Sequence, residues 1–167
     1  WQRLDARVFQ ISFLLSLLLF GALARDFALS VWQVAGAFAG AILTQVFWQF
    51  SLQLPPRRKA TGYLSAVVTA CSISILVRSD VLWVHPLLAA IAMSSKFVLR
   101  VGQGAQRGHF LNPANLACIL ALWWLPDAWL SPGQWGYETL AALWIVLLGA
   151  LVSGRVARWG ISVTFLG

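Results

Sequence analysis

Apolar residues in this chain come in blocks rather than in alternation. Runs at Val8 to Leu23, Leu29 to Leu52, Tyr63 to Val77, Val81 to Ser95, Leu111 to Leu125 and Tyr137 to Ser153 are nearly free of charge, and short polar segments separate them. A helix rises 1.5 Å per residue, so about 20 apolar residues cross the hydrocarbon core of a bilayer. The blocks therefore predict an all-α integral membrane protein, a single domain of about six transmembrane helices. The third and fourth runs are near the lower length limit and only Arg78-Ser79-Asp80 separates them, which predicts antiparallel neighbours. Snorkelling by Lys96 and Arg100 lengthens the fourth. The first run has no small-residue cleavage site and five more follow it, so it reads as a span and not as a signal peptide. The sequence opens at Trp1 without a methionine, and residues 155–167 begin a further apolar segment, so a fragment of a longer chain is expected.

Charge supplies an orientation. Taking the links alternately, one side collects Arg3, Arg7, Arg57, Arg58, Lys59, Lys96, Arg100, Arg107, Arg155 and Arg158, and the other has Arg25 and Arg78, out of 12 basic residues. Asp26, Asp80, Asp127 and Glu138 fall on that second side. Cytoplasmic links collect Lys and Arg, so the N-terminus and the links Pro55 to Thr61 and Lys96 to His109 are expected in the cytoplasm. Trp83, Trp123, Trp124, Trp129 and Trp135 stand near the outer ends of the runs and Trp48 and Trp159 near the inner ends, as an interfacial belt requires. Composition agrees: 60% of residues are hydrophobic and 10% charged, against roughly a quarter charged in soluble domains. A net charge of +7 points to nucleic acid in a soluble protein, but here the charges sit between apolar runs, so the expected partner is membrane lipid and not nucleic acid.

Several residues within the runs invite chemistry. Gly36-Ala37-Phe38-Ala39-Gly40 sets two glycines on one helical face, a pattern for close helix contact. Gln45 and Gln49 lie one turn apart with Thr44 beside them, and amides in hydrocarbon need partners, whether an interhelical bond or a polar pathway. Ser65, Thr69 and Ser72 recur at i, i+4 and i+7 and form a polar stripe that either admits a neighbouring helix or lines a cavity. His85-Pro86 opens the fourth run, with Pro86 suited to a first helical turn and His85 read as interfacial. Cys71 and Cys118 lie inside apolar runs without metal or disulfide spacing and read as packing residues.

The segment Lys96 to Asn115, KFVLRVGQGAQRGHFLNPAN, is the most informative. Asn112 before Pro113 is a helix start, with Asn as cap and Pro in the first turn. Lys96, Arg100, Arg107 and His109 converge on the same end, where a helix N-terminus adds free amides and positive dipole, so the region would suit an anion. No nucleophile with a matched base, phosphate-binding glycine motif, metal-ligand set or paired intramembrane carboxylates stands in the sequence.

The words SAVVTA (Ser65 to Ala70), Lys96 after a short helix, and FLNPANLA (Phe110 to Ala117) resemble, in order and spacing, the NqrB/RnfD-like family. Its members are membrane components of the sodium-pumping NADH:quinone oxidoreductase and of the Rnf electron-transport complex. The spelling SKFVLR followed by HFLNPAN is most similar to a less characterised branch associated with enediyne biosynthesis clusters. Leu111 departs from the phenylalanine frequent in the family, and Gly102 to His109 lacks its usual glycine pattern. The resemblance implies the first half of a two-repeat fold similar to urea transporters, in a bacterial cytoplasmic membrane. It also implies an electron-transport subunit that holds non-covalent flavin (FMN or riboflavin) or quinone between helices, among further subunits of a complex. The family's covalent-flavin threonine motif belongs to the second half and is absent here. The expected cofactor side comprises Ser65, Thr69, Lys96, Arg100, Asn112 and Asn115, with no catalytic residue and no metal. The competing expectations are a non-catalytic scaffold subunit and a small-solute channel.

Overall fold

A computed structural model describes residues 5–24, 29–101, 108–109, 111–130, 142–144, 146–147 and 149–150. It contains helices α1 (Ala6–Ala24), α2 (Val31–Ser51), α3 (Pro56–Leu76), α4 (Val84–Val98) and α5 (Pro113–Trp124), with short strands β1 (Val77–Ser79), β2 (Arg100–Val101), β3 (Gly108–His109) and β4 (Ala128–Leu130). The chain is predominantly helical, as its apolar blocks predict. The sixth run, Tyr137 to Ser153, falls mostly outside the described residues. So do Arg3, Arg25, Asp26, Arg107, Trp135, Glu138, Arg155, Arg158 and Trp159, and the side chains of Arg57, Arg58, Lys59 and His109. Among the described helices α2 alone is long and apolar enough to cross a membrane, whereas Arg7–Leu23, Ala60–Leu76, Val84–Val98 and Pro113–Trp124 are shorter apolar helices.

Local chemistry sets the helix ends. Ser30 caps α2, accepting from Trp32 N at 3.2 Å, while Gln33 Oε1 accepts from Ser30 N at 2.9 Å, so two otherwise orphaned donors are satisfied. At the far end Leu54 N donates to Gln49 O and Gln53 N to Phe50 O, and Gln53 takes φ 46°. These bonds make a Schellman stop built on glutamine where glycine is usual. Helix α3 then starts at Pro56, seven residues before the apolar run at Tyr63. Arg57, Arg58 and Lys59 thus belong to its first turns and not to a loop. A proline needs no hydrogen bond there, and Arg and Lys are good helix formers, so proline and not hydropathy sets this boundary.

The apolar blocks predict no strands, yet two short ribbons form. Strand β1 pairs antiparallel with β4 (Val77↔Leu130, Arg78↔Trp129, Ser79↔Ala128), and β2 pairs with β3 (Arg100↔His109, Val101↔Gly108). Both ribbons pair backbone groups of the segments between the helices. They mark the two ends of the bundle, called below the β1–β4 end and the β2–β3 end.

Residue contacts fix the helix directions. Gly36 and Gly40 of α2 meet Pro86 in the first turn of α4, and Trp48, late in α2, meets Ser94 and Phe97, late in α4, so these two helices run parallel. Gln45, late in α2, touches Gly62, early in α3. Lys96, late in α4, reaches Ser65 of α3, which makes α3 antiparallel to both. The interior is built from small residues: Ala37, Ala41, Ala66, Ala70 and Ala89 pack with Met93, and Ala92, Ala114, Ala117, Cys118 and Ala121 pack with Ile73, Val77 and Leu88. Both cysteines are buried and free. Small side chains let backbones approach, as the Gly36/Gly40 pattern predicts.

Candidate functional site

Three of the site residues expected from the sequence meet between α3 and α4. Lys96 Nζ donates to Thr69 Oγ1 at 2.6 Å, Ser65 Oγ at 2.8 Å and Ser65 O at 3.2 Å, with Met93 Sδ also at 3.2 Å. Thr69 Oγ1 in turn donates to Ser65 O at 2.9 Å. Sequence spacing produces this convergence. Ser65 and Thr69 are one turn apart on α3 and face α4, while Met93 and Lys96 are three apart on α4 and face back. An ammonium has three protons, and three protein oxygens take them. Lys96 as a whole is 8% exposed, and all of these partners are neutral. Ser72, the third member of the stripe, bonds instead to Val68 O on its own helix at 2.8 Å.

The remaining expected residues stand apart from this cluster. Arg100, in β2, turns back on the end of α4, donating from Nε to Lys96 O and lying 5.3 Å from the centroid of the Phe97 ring. Phe97 stacks on Trp48 of α2 at 5.4 Å, and Trp48 Nε1 donates to Ser94 Oγ at 3.2 Å. Asn112 caps α5, its Oδ1 accepting from Ala114 N at 3.1 Å, and Asn115 is exposed on the same helix. No hydrogen bond between described residues joins either asparagine to Lys96. An open apolar groove of about 400 Å³ lies between α4 and α5, lined by Ala90, Ile91, Ser94, Ser95, Val98, Leu99, Leu116 and Leu120. None of the six expected cofactor residues lines it.

A second polar cluster, at the β1–β4 end, has no counterpart among the expected site residues. By sequence Arg78 is a link charge and His85 is interfacial, yet they are 1% and 0% exposed. The pairing of β1 with β4 closes over Arg78, and the first turn of α4 folds His85 inward against β1. Arg78 Nη1 donates to Ser74 O and Val77 O, both at 2.8 Å. His85 Nε2 lies 3.3 Å from the same Val77 O, and Gln33 Nε2 donates to Ser79 O. Burial lowers the Arg78 guanidinium from its ordinary value, which starts so high that the group stays charged. The available sequence signal is that Gln33, Arg78, Ser79 and His85 all stand at run ends on the same side. Among the described residues no group of three or more His, Cys, Asp or Glu is placed to hold a metal ion.

No protein-family model, curated protein or solved structure matches the chain.

Proposed function

We propose that the chain is a multi-span subunit of a membrane assembly, embedded in a cytoplasmic membrane with its N-terminus on the cytoplasmic side, where helix packing is its principal work. The observation that carries this reading is the inverted polarity of α2. Its buried positions are Gln33, Ala37, Ala41, Gln45 and Gln49, while Val31, Trp32, Leu43, Phe47 and Phe50 are 62–79% exposed. A helix in water buries its apolar stripe and exposes amides; a helix in lipid does the reverse, because amides need partners and the solvent is itself apolar. The core helix of a soluble protein is mostly buried, whereas 22% of the most apolar window of α2 is. Helix α5 repeats the pattern, with Ala114, Ala117, Cys118 and Ala121 inside and Ile119, Leu122, Trp123 and Trp124 outside. At 12 residues it reaches about 18 Å, so it enters the core without crossing all of it.

A second reading, a redox subunit that holds flavin or quinone between helices, is favoured by the convergence of Ser65, Thr69 and Lys96. Against it, protein oxygens already take all three Lys96 protons. Two measurements test the pair. If alkaline carbonate strips the chain from membranes, the embedded reading fails. An absorption spectrum of the native purified protein with a stoichiometric flavin band, or quinone in its extract, would make the redox reading primary; a colourless, quinone-free protein leaves the scaffold.

A further inference from the structure

The groove between α4 and α5 has Val98 and Leu99 on one wall and Leu116 and Leu120 on the other. Its two serines bond within the protein: Ser94 Oγ accepts from Trp48 Nε1 at 3.2 Å, and Ser95 Oγ donates to Ala92 O at 2.8 Å. An occupant is therefore held by apolar contact, as hydrocarbon is. At about 1.5 Å per residue the groove runs about 14 Å along α4, from Ala90 to Leu99. That is the depth of one leaflet in a hydrocarbon core about 30 Å thick, and it lies in the half of α4 nearer the β2–β3 end. A single acyl chain fits this depth, whereas a partner helix crossing both leaflets would outrun it.

The mouth of the groove is basic. Val98 and Leu99 are 63% and 42% exposed, and Arg100 follows them directly in β2, whose pairing sets it opposite His109 of β3. The same end of the bundle carries Arg57, Arg58 and Lys59 in the first turns of α3. Arg7 joins it from the start of α1, with Nη1 donating to Thr61 O at 2.8 Å. Among the described residues the acid at that end is Asp5, whereas Asp80 and Asp127 stand at the other. Helix α5 also begins there and adds the positive end of its dipole. An apolar slot one leaflet deep with a cationic mouth is complementary to an amphiphile with a hydrocarbon tail and an anionic head, and the cytoplasmic leaflet holds such lipids.

We propose that the α4–α5 groove seats one acyl chain of an anionic phospholipid, whose phosphate lies against Arg100 at the β2–β3 end. The site rests on the membrane reading of the chain. Purified in a neutral detergent and given equal amounts of phosphatidylglycerol and phosphatidylcholine with the same acyl chains, the protein is expected to retain phosphatidylglycerol in preference in native mass spectra. Arg100→Gln should cut that preference about fivefold, the share of one basic residue near a membrane surface, and Arg100→Lys should keep it. Leu120→Trp fills the groove and should lower retention of both lipids. Should that variant not fold, the two Arg100 variants still decide. Equal retention of the two lipids by the wild type overturns the proposal, as does a preference that Arg100→Gln leaves unchanged. Excess glycerol phosphate, which has the head without the tail, should not compete; if it does, the site takes free phosphate and the lipid is rejected. A dimer that added lipid fails to displace gives the groove to a second copy and overturns it too. Alkaline carbonate separates the two failures: a chain that stays in the membrane without lipid preference loses this site alone, and a chain that is stripped loses the membrane reading with it.

Discussion

Gly40→Ala adds one methyl group where α2 passes nearest to α4. A Cβ there would collide with Pro86 O and lie 2.9 Å from Pro86 Cα and 3.0 Å from its carbonyl carbon. All three are backbone atoms of the first turn of α4, so none can rotate aside. Gly36→Ala adds the same group one turn earlier, where it meets Pro86 Cδ at 3.1 Å and Cγ at 3.4 Å, ring atoms that yield by puckering. Both changes gain about 0.8–1.0 kcal/mol of helix propensity. Overpacking costs about 1–3 kcal/mol, occasionally more. At Gly36 the terms nearly cancel. At Gly40 the rigid backbone contact puts the cost at the upper end, for a net loss of about 2 kcal/mol. In a chain of this size about 1 kcal/mol moves the melting temperature by about 2–4 °C. Gly40→Ala should therefore melt about 4–8 °C below wild type and Gly36→Ala within about 2 °C of it, followed by circular dichroism in one detergent. If Gly40→Ala melts at or above wild type, or Gly36→Ala is the worse of the two, α2 and α4 do not cross in this way.

Ser65→Ala/Thr69→Val should destabilise more than Lys96→Met, because stripping a buried charge of its partners costs about 3–5 kcal/mol while an apolar replacement of similar volume removes the charge itself; denaturant titration reads the order, and the reverse order refutes it. Asn112→Ala should cost about 0.5–2 kcal/mol, with Asn112→Ser and Asn112→Asp restoring most of it, and a thermal melt in which all three match wild type would show that the cap contributes nothing. Gln53→Gly should raise stability by about 1 kcal/mol, since it relieves a left-handed backbone at a helix stop; a lower melting temperature would contradict this. Cys71 and Cys118 are buried and give a quiet background for labelling. An impermeant maleimide on intact cells should modify Asp127→Cys and spare Gln53→Cys, and the opposite pattern inverts the proposed orientation.

Residues whose role is decided locally are legible in the sequence. Gly36 and Gly40 announce a close crossing because two glycines four apart on one helical face let backbones meet, although only the fold names Pro86 as the partner. Asn112-Pro113 announces a helix start, and its capping bond is formed by neighbours in sequence. The stripe of Ser65 and Thr69 is visible by periodicity, whereas its meeting with Lys96 depends on how α3 and α4 pack. What the sequence hides depends on distant partners. Three residues at 77–79 carry no strand signature strong enough to point to 128–130, so the burial of Arg78 cannot be read from a link that otherwise looks solvated. His85 goes with it, because a histidine at a run end looks interfacial until the strand beside it is known. The start of α3 escapes because hydropathy marks where a helix turns apolar and not where its hydrogen bonds begin.

The ribbon of β1 and β4 also constrains the order in which the molecule is assembled. Its strands are separated in sequence by the whole of α4 and α5, so the hairpin of α3 and α4 leaves the ribosome with one edge unpaired and Arg78 uncovered. That edge is completed once Leu130 has been synthesised and α5 has docked. Contacts of such long sequence separation form late and slowly. Until then β1 lacks the strand that pairs with it. A chain arrested before Ala128 would therefore retain most of its helices and lack the latch that seals them.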